Sequence, residues 1–399
     1  MTRHLPFGSA ALEVRFPEEV ELEWVQPDYG EGATDPERLL AGALRQPIDA
    51  APLADQARGA RRVAIVIDDI TRPTPSKALL PAVLRELDAA GVPAEGVRIL
   101  VGVGSHRTMT EAERETLVGP EIFARYAVVN HLARDPEHLT YLGQSPRGIP
   151  VWINRLVAEA DLAVITGFIK PHNVAGYSGG YKAYFPAVAG LETVVGIHAL
   201  QQLPGEPCRV GELDNPFRVE VDAMGPLVPA PTFLLNVIIN RKKEVVEVFA
   251  GHPLEAHRRA VAETERRATV RVSRPAEAVV AGGGGYPSDI SLYQGINALA
   301  SVVRLRTPVV RPDGHVILVG EFREGLGSEF GSGRHQDLAT AWASHLRRMK
   351  RLTVVSPNVP AAELAKAGIA QAGSVEEALS GAGHVVVLPD APYTVARVG

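Results

Sequence analysis

The chain has 399 residues, 46% of them hydrophobic and 22% charged, with a formal net charge of −5. That length is enough for two domains with cores of their own, and the acidic balance argues against nucleic acid as the main partner, because phosphate binding shows as a basic excess. A single cysteine, Cys208, excludes an internal disulfide framework and a Cys-based metal cluster. No apolar run is long enough to span a bilayer, and residues 1–20 do not read as a signal peptide. A cytoplasmic protein with no membrane partner is expected.

In chain order, residues 14–24 alternate apolar and acidic side chains and read as an early strand or hairpin. Residues 35–44 read as a short helix, with Asp35 as N-cap and Pro36 in the first turn. Residues 62–67 (RVAIVI) form a buried strand that runs into the polar loop DDITRPTP, residues 68–75. Open α/β sheets place their ligand sites in such loops, at the carboxyl ends of strands. Residues 76–90 carry a helical stripe (Leu79, Leu80, Val83, Leu84, Leu87) that stops at Gly91. A second strand, 98–103, leads into Gly104, Ser105, His106 and Arg107, and Thr110 with Glu113 fits a capping box for the next helix.

Residues 126–130 give a short strand, 140–154 a hairpin turning at 145–148, and 162–166 a strand feeding a glycine-rich stretch. Residues 233–239 and 244–250 pair as a hairpin, and 253–267 are helical. After residue 269 the pattern restarts, with a strand at 277–281, a glycine run at 282–285, a helix at 290–303 and strands at 315–319, 352–355 and 384–388. Strand, polar loop and helix recur throughout, so the expected fold is α/β with mainly parallel sheets. Two α/β domains are expected, 1–268 and a smaller 275–399.

Residues 167–199, GFIKPHNVAGYSGGYKAYFPAVAGLETVVGIHA, gather Lys170, His172, Lys182 and His198 with one carboxylate, Glu192. Glycine tolerates positive φ and close approach of a ligand, and successive amides in such a turn form an anion-binding nest. Tyr177, Ser178, Gly179 and Gly180 are therefore read as a cradle for an anionic group. A desolvated lysine serves as nucleophile or covalent tether, and imidazoles move protons near neutral pH. The histidine spacing matches no zinc motif, so a lone histidine ligates a metal only if a non-protein ligand supplies the other positions.

Asp68 and Asp69 have an ordinary reading as helix caps. Arg72 is harder to assign to structure, and its planar fork suits a carboxylate or phosphate. His106 alone reads as a loop histidine, but it shares the strand-end setting of Arg72 and His172. Gly282 to Gly285 do not follow the G-x-G-x-x-G spacing of a dinucleotide loop, and residues 325–329 read as a turn. His315 and His384 read as structural, and His252 as a helix cap or surface residue.

At these residues the chain resembles the nickel-dependent lactate racemase family. The matching blocks are DDITRPTP (68–75), GSH (104–106), IKPHNVAGYSGGYKAYFPAVAG (169–190), GIHA (196–199) and YPSDISLYQGINA (286–298). The resemblance spans nearly the whole chain and implies an active site in the cleft between the two domains. It implies a nickel-pincer nucleotide tethered through Lys182, with His198 as nickel ligand in the square-planar geometry that suits Ni(II). Asp69, Thr71, Arg72 and the 177–180 cradle would contact the cofactor.

His106 and His172 resemble the family's acid/base pair, and Arg72, Tyr293, Gln294 and Asn297 would meet the substrate. The implied reaction is racemisation or epimerisation at C2 of a 2-hydroxy acid, by proton-coupled hydride transfer through a 2-keto acid. Lactate-specific members carry a lysine where this chain has Asn297, so a substrate other than lactate alone is expected. Cofactor-synthesis enzymes are the expected protein partners, and a homodimer is one option for assembly. Two further readings stay open: an NAD-dependent 2-hydroxy acid dehydrogenase, and a carrier of the nickel cofactor.

Overall fold

Two six-stranded sheets organise the computed structural model, which describes residues 1–205, 207–327, 337–379 and 381–399. Ser328 and Glu329, read as part of a turn, lie outside the described residues. The first sheet has the order Val245–Gly251, Thr232–Ile239, Leu162–Phe168, Val63–Asp68, Val97–Gly102, Ala127–Asn130. All its pairings are parallel except the edge pair Thr232–Ile239 with Val245–Gly251, which forms the expected hairpin. The second sheet is parallel throughout, in the order Ala370–Gln371, Arg351–Val355, Val310–Val319, Ala276–Gly282, His384–Leu388, Glu21–Trp24. The mainly parallel α/β architecture is as the alternation of strands and helices implies.

Local chemistry sets the elements. Asp35 caps the helix Pro36–Arg45 by accepting from the Arg38 amide, 2.9 Å. Thr110 and Glu113 form a reciprocal capping box on Glu111–Val118. Helix Ser76–Ala89 buries Leu79, Leu80, Val83, Leu84 and Leu87 against one face of the first sheet. At about 1.5–3 kcal/mol for each fully buried side chain, that stripe and not helix propensity fixes the helix. The opposite face is covered by Ile149, Phe185 and Phe217. No helix among the described residues is long and apolar enough to cross a membrane.

Two expectations change. The chain start, placed in the first domain by position, belongs to the second sheet: Glu21–Trp24 pairs with His384–Leu388, and the hairpin Thr2–Phe7 with Ala10–Arg15 packs Leu5, Val14 and Phe16 on Val280, Ile317 and Val387. Alternation reveals a buried face but not which sheet buries it. The helix expected over 290–303 is confined to Ile296–Val303. The amides of Leu292 and Tyr293 bond instead to the carbonyls of Gly325 and Leu326.

One close approach pins the site loop. Gly176 has φ +71°, and a Cβ there would lie 1.9 Å from the Glu212 carbonyl oxygen. Its own carbonyl accepts from the Gly211 amide, 3.0 Å. Gly176→Ala is expected to destabilise the protein by more than about 1 kcal/mol in urea unfolding. An unchanged midpoint would mean that the 211–212 segment yields freely.

Candidate active site

Three neighbouring strands of the first sheet deliver most of the site. Val63–Asp68 leads to Asp69, Thr71 and Arg72; Val97–Gly102 leads to His106; Leu162–Phe168 leads to Lys170 and His172. The strands are parallel and adjacent, so their carboxyl ends open on one edge and the loops converge. From the second sheet, the segment after Ala276–Gly282 brings Ser288, Tyr293, Gln294 and Asn297, and the turn Ala391–Tyr393 brings Pro392. All of these line one cavity with Ser178, Gly179, Lys182 and His198.

The two candidate acid/base histidines are set up in opposite ways. His106 Nδ1 lies 2.8 Å from Asp69 Oδ2. Donation through Nδ1 puts the imidazole lone pair on Nε2, where a base needs it. Burial pushes the Asp69 carboxyl up, but His106, Arg72 and Thr71 outweigh it and hold the group at about 2. His172 Nδ1 instead accepts from the amides of Val174 and Ala175, each at 3.2 Å. Its neutral ring therefore carries the proton on Nε2. Burial, then the cations Lys182, Lys170, Arg72 and Arg218, hold its pKa well below the usual imidazole range. To act as a base, His172 must first release Nδ1 from the two amides.

The Asp69–His106 pair carries a pH signature. A folded pKa of about 2 lies below the unfolded carboxylate value of about 3.9. The pair's stabilisation is therefore present above about pH 4 and is lost as pH falls towards 2. Asp69→Asn should accordingly lose more stability at pH 6 than at pH 3 in parallel urea titrations. An equal loss at both values would count against an ionised Asp69.

His198 sits near the end of helix Leu191–Ala199, and its Nδ1 donates to the Val194 carbonyl one turn earlier, 2.7 Å. With Nδ1 donating, the ring lone pair is on Nε2, the tautomer of a ligating histidine. The Phe217 ring meets the imidazole edge-on, 5.3 Å between centroids. Lys182 Nζ lies over the same Phe217 ring at 5.6 Å. Burial, then Arg218 and Arg72, hold its amine well below the ordinary lysine range. A lowered amine pKa favours the nucleophilic form of a lysine.

Arg72 bridges the cleft: its Nη1 donates to Thr71 Oγ1 at 2.8 Å and to Gln294 Oε1 at 3.3 Å. Asn297 donates through Nδ2 to the Gln294 carbonyl, 3.1 Å, so the polar residues of the second domain brace one another. Neither Asp68 nor Asp69 caps the helix that follows, whose N-cap is Pro75. Asp68 accepts from the Thr74 hydroxyl, and Asp69 faces His106.

The cradle expected at 177–180 takes a different form. The amides of Tyr177, Ser178 and Gly180 go to Ala175 O, Lys170 O and Asn236 Oδ1, so they form no open nest. Tyr177 belongs to the hydrophobic core, and neither it nor Gly180 lines the cavity. The missing Cβ of Gly179 and Gly180 lets Asn236, Ile169 and His257 pack against the backbone. Gly282 to Gly285 are explained the same way. A Cβ on Gly282 would meet the Pro389 carbonyl oxygen at 2.2 Å, and turns rather than a helix follow the run.

Several residues that position the site carry no local sequence signal. Buried Arg218 donates to the carbonyls of Ala175, Tyr177 and Gly179, and His257 Nε2 lies 2.9 Å from Ser178 O. Arg304, at the end of helix Ile296–Val303, reaches Gln201 Oε1 at 3.2 Å and the Asn173 carbonyl at 3.5 Å. It thereby ties the helix that bears Asn297 to the segments that follow His172 and His198.

Residues 7–206 match the lactate racemase N-terminal domain family. Over 328 residues the chain is 31% identical to a lactate racemase of Thermoanaerobacterium thermosaccharolyticum, covering 82% of this chain and 75% of that protein. The chain belongs to the lactate racemase family. A second lactate racemase, from Lactiplantibacillus plantarum, is 30% identical over 287 residues, 72% of this chain and 66% of that protein. The lactate racemase apoprotein of T. thermosaccharolyticum superposes over the full length of both chains with a TM-score of 0.85 and 26% identity. A Thermotoga maritima protein shares the fold, with a TM-score of 0.71 at 19% identity over 93% of this chain and all of that one. Membership of the lactate racemase family places the chain among isomerases.

Proposed function

We propose that this chain inverts C2 of a 2-hydroxy acid by proton-coupled hydride transfer, using a nickel-pincer nucleotide. The observation that carries the reading is the convergence of His106, His172, Lys182 and His198 on one cavity, with Arg72 and Gln294 closing it from the two sides. Lys182 would tether the cofactor and His198 would ligate its nickel. Among the described residues no group of three or more His, Cys, Asp or Glu is placed to hold a metal ion. A nickel held by His198 would therefore take its other ligands from the organic group. The low-pKa amine of Lys182 and the Nε2 lone pair of His198 are the two donors such a group needs from this chain.

When bound, the cofactor supplies the hydride acceptor. The protein's own task is to move the hydroxyl proton on either face of the substrate. His106 Nε2 takes it for one enantiomer, with Asp69 stabilising the resulting imidazolium. His172 serves the other enantiomer once its Nδ1 has left the Val174 and Ala175 amides. Arg72 orients the carboxylate, and the residues of the second domain cover the planar 2-keto acid while it turns over, keeping water out. Protein co-produced with cofactor-synthesis enzymes should invert single enantiomers in a panel of 2-hydroxy acids, read by chiral chromatography. Verified cofactor-loaded protein that inverts none of them would sink the proposal.

Asn297 sets the substrate range. A neutral amide offers a donor and an acceptor in place of a cation, which suits a substrate with a further hydroxyl or polar group. Asn297→Lys should raise kcat/KM for lactate by about tenfold or more, the size of one added charged hydrogen bond. No gain for lactate would remove Asn297 as a selector.

A further inference from the structure

We propose that Lys170 is an oxyanion ligand of the cavity, gripping either the carboxylate of the substrate or the phosphate of the cofactor. Lys170 is 6% exposed, yet it lines the cavity wall. Its backbone is locked by a reciprocal pair: its amide donates to Ser178 Oγ and its carbonyl accepts from the Ser178 amide, both 2.9 Å. Nζ donates to the carbonyls of Pro171 and Pro392, each at 3.2 Å, and lies 5.4 Å from the Tyr393 ring centroid. An ammonium has three N–H donors, and these two carbonyls take two of them.

Buried lysines are ordinarily paired with a carboxylate. Here burial, and then the like charge of Arg72, lowers the amine to about 7. Arg72 is itself hydrogen-bonded to the neutral groups of Thr71 and Gln294. Arg72 also faces the carboxylates of Asp68 and Asp69, whereas Lys170 is held by neutral carbonyls, so an oxyanion would complete the Lys170 end of this wall. Lys170 then supplies a cation in a pocket where position 297 is an asparagine. It sits at the seam, held by the first domain's own loop and by Pro392 of the second.

Which anion Lys170 takes rests on the proposed function, but its binding of an oxyanion does not. The test begins with the full-length, cofactor-free protein, titrated calorimetrically with pyruvate and with inorganic phosphate. Wild type should bind at least one of them. Lys170→Gln should weaken that binding by about 10- to 100-fold, the loss of one charged hydrogen bond, and Lys170→Arg should restore most of it. Loss for pyruvate assigns the substrate carboxylate, and cofactor-loaded Lys170→Gln would then show a raised KM. Loss for phosphate assigns the cofactor, and uptake of the cofactor-sized mass would fall while KM for the loaded fraction stays.

Wild type that binds neither anion, or Lys170→Gln that binds both as well as wild type, overturns the assignment. If Lys170→Gln does not fold, acetylation of Lys170 in wild type can be followed by peptide mass with and without the anion. Protection by the bound anion supports the grip, and unchanged labelling refutes it. Failure of the nickel reading would be separate, appearing as no inversion by loaded protein while anion binding persists.

Discussion

Lys182→Ala is expected to abolish the cofactor-sized increase in intact protein mass and, with it, all inversion of 2-hydroxy acid. The effect should be complete because a covalent tether has no partial substitute. Burial, then Arg218 and Arg72, lowers the pKa of the amine, which favours the form a nucleophile requires. The fold should survive, since the Lys182 amine rests over the Phe217 ring at 5.6 Å and Phe217 stays packed in its own core. Mass spectrometry of the variant, co-produced with cofactor-synthesis enzymes, decides the matter. An intact adduct would move the tether to another residue.

His106→Ala and His172→Ala should each lower the rate of full racemisation by about 10²- to 10⁴-fold, the usual contribution of a general acid or base. The two variants should not behave alike. His106 has a carboxylate partner and presents a lone pair on Nε2, whereas His172 presents an N–H and must break two amide contacts to act as a base. His172→Ala should therefore retain proton removal from one enantiomer, read as 2-keto acid formed in a single turnover of loaded protein. His106→Ala should lose it for that same enantiomer. Full activity in either variant would take that residue out of the mechanism.

The first domain was largely legible in the sequence, because each of its strands is a short apolar run ending in a polar loop. Residues 62–67 became Val63–Asp68, and the loops carrying Arg72, His106 and His172 meet as adjacent parallel strands require. Glycines are ambiguous in one place. Gly179 lines the cavity, but the missing Cβ of Gly179 and Gly180 also makes room for Asn236, Ile169 and His257. Sequence cannot say whether a glycine yields space to a ligand or to a neighbouring side chain. Arg218 and Arg304 were invisible for a related reason. Each acts on carbonyls far away in the chain, and carbonyls leave no mark in a sequence.

The strand Glu21–Trp24 closes the edge of the second sheet beside His384–Leu388, so a strand made before the first domain docks on one made after it. Until His384–Leu388 has been made, the second sheet lacks the strand that bridges Glu21–Trp24 to Ala276–Gly282. The first domain, whose strands all lie between Val63 and Gly251, can finish earlier. Birth order then sets a sequence of assembly. The half that bears Lys182 and His198 is complete while the half that covers them is still being made. During that interval the cavity lacks the wall later supplied by Gln294 and Pro392, and a cofactor bound at Lys182, the tether proposed above, would enter most easily then.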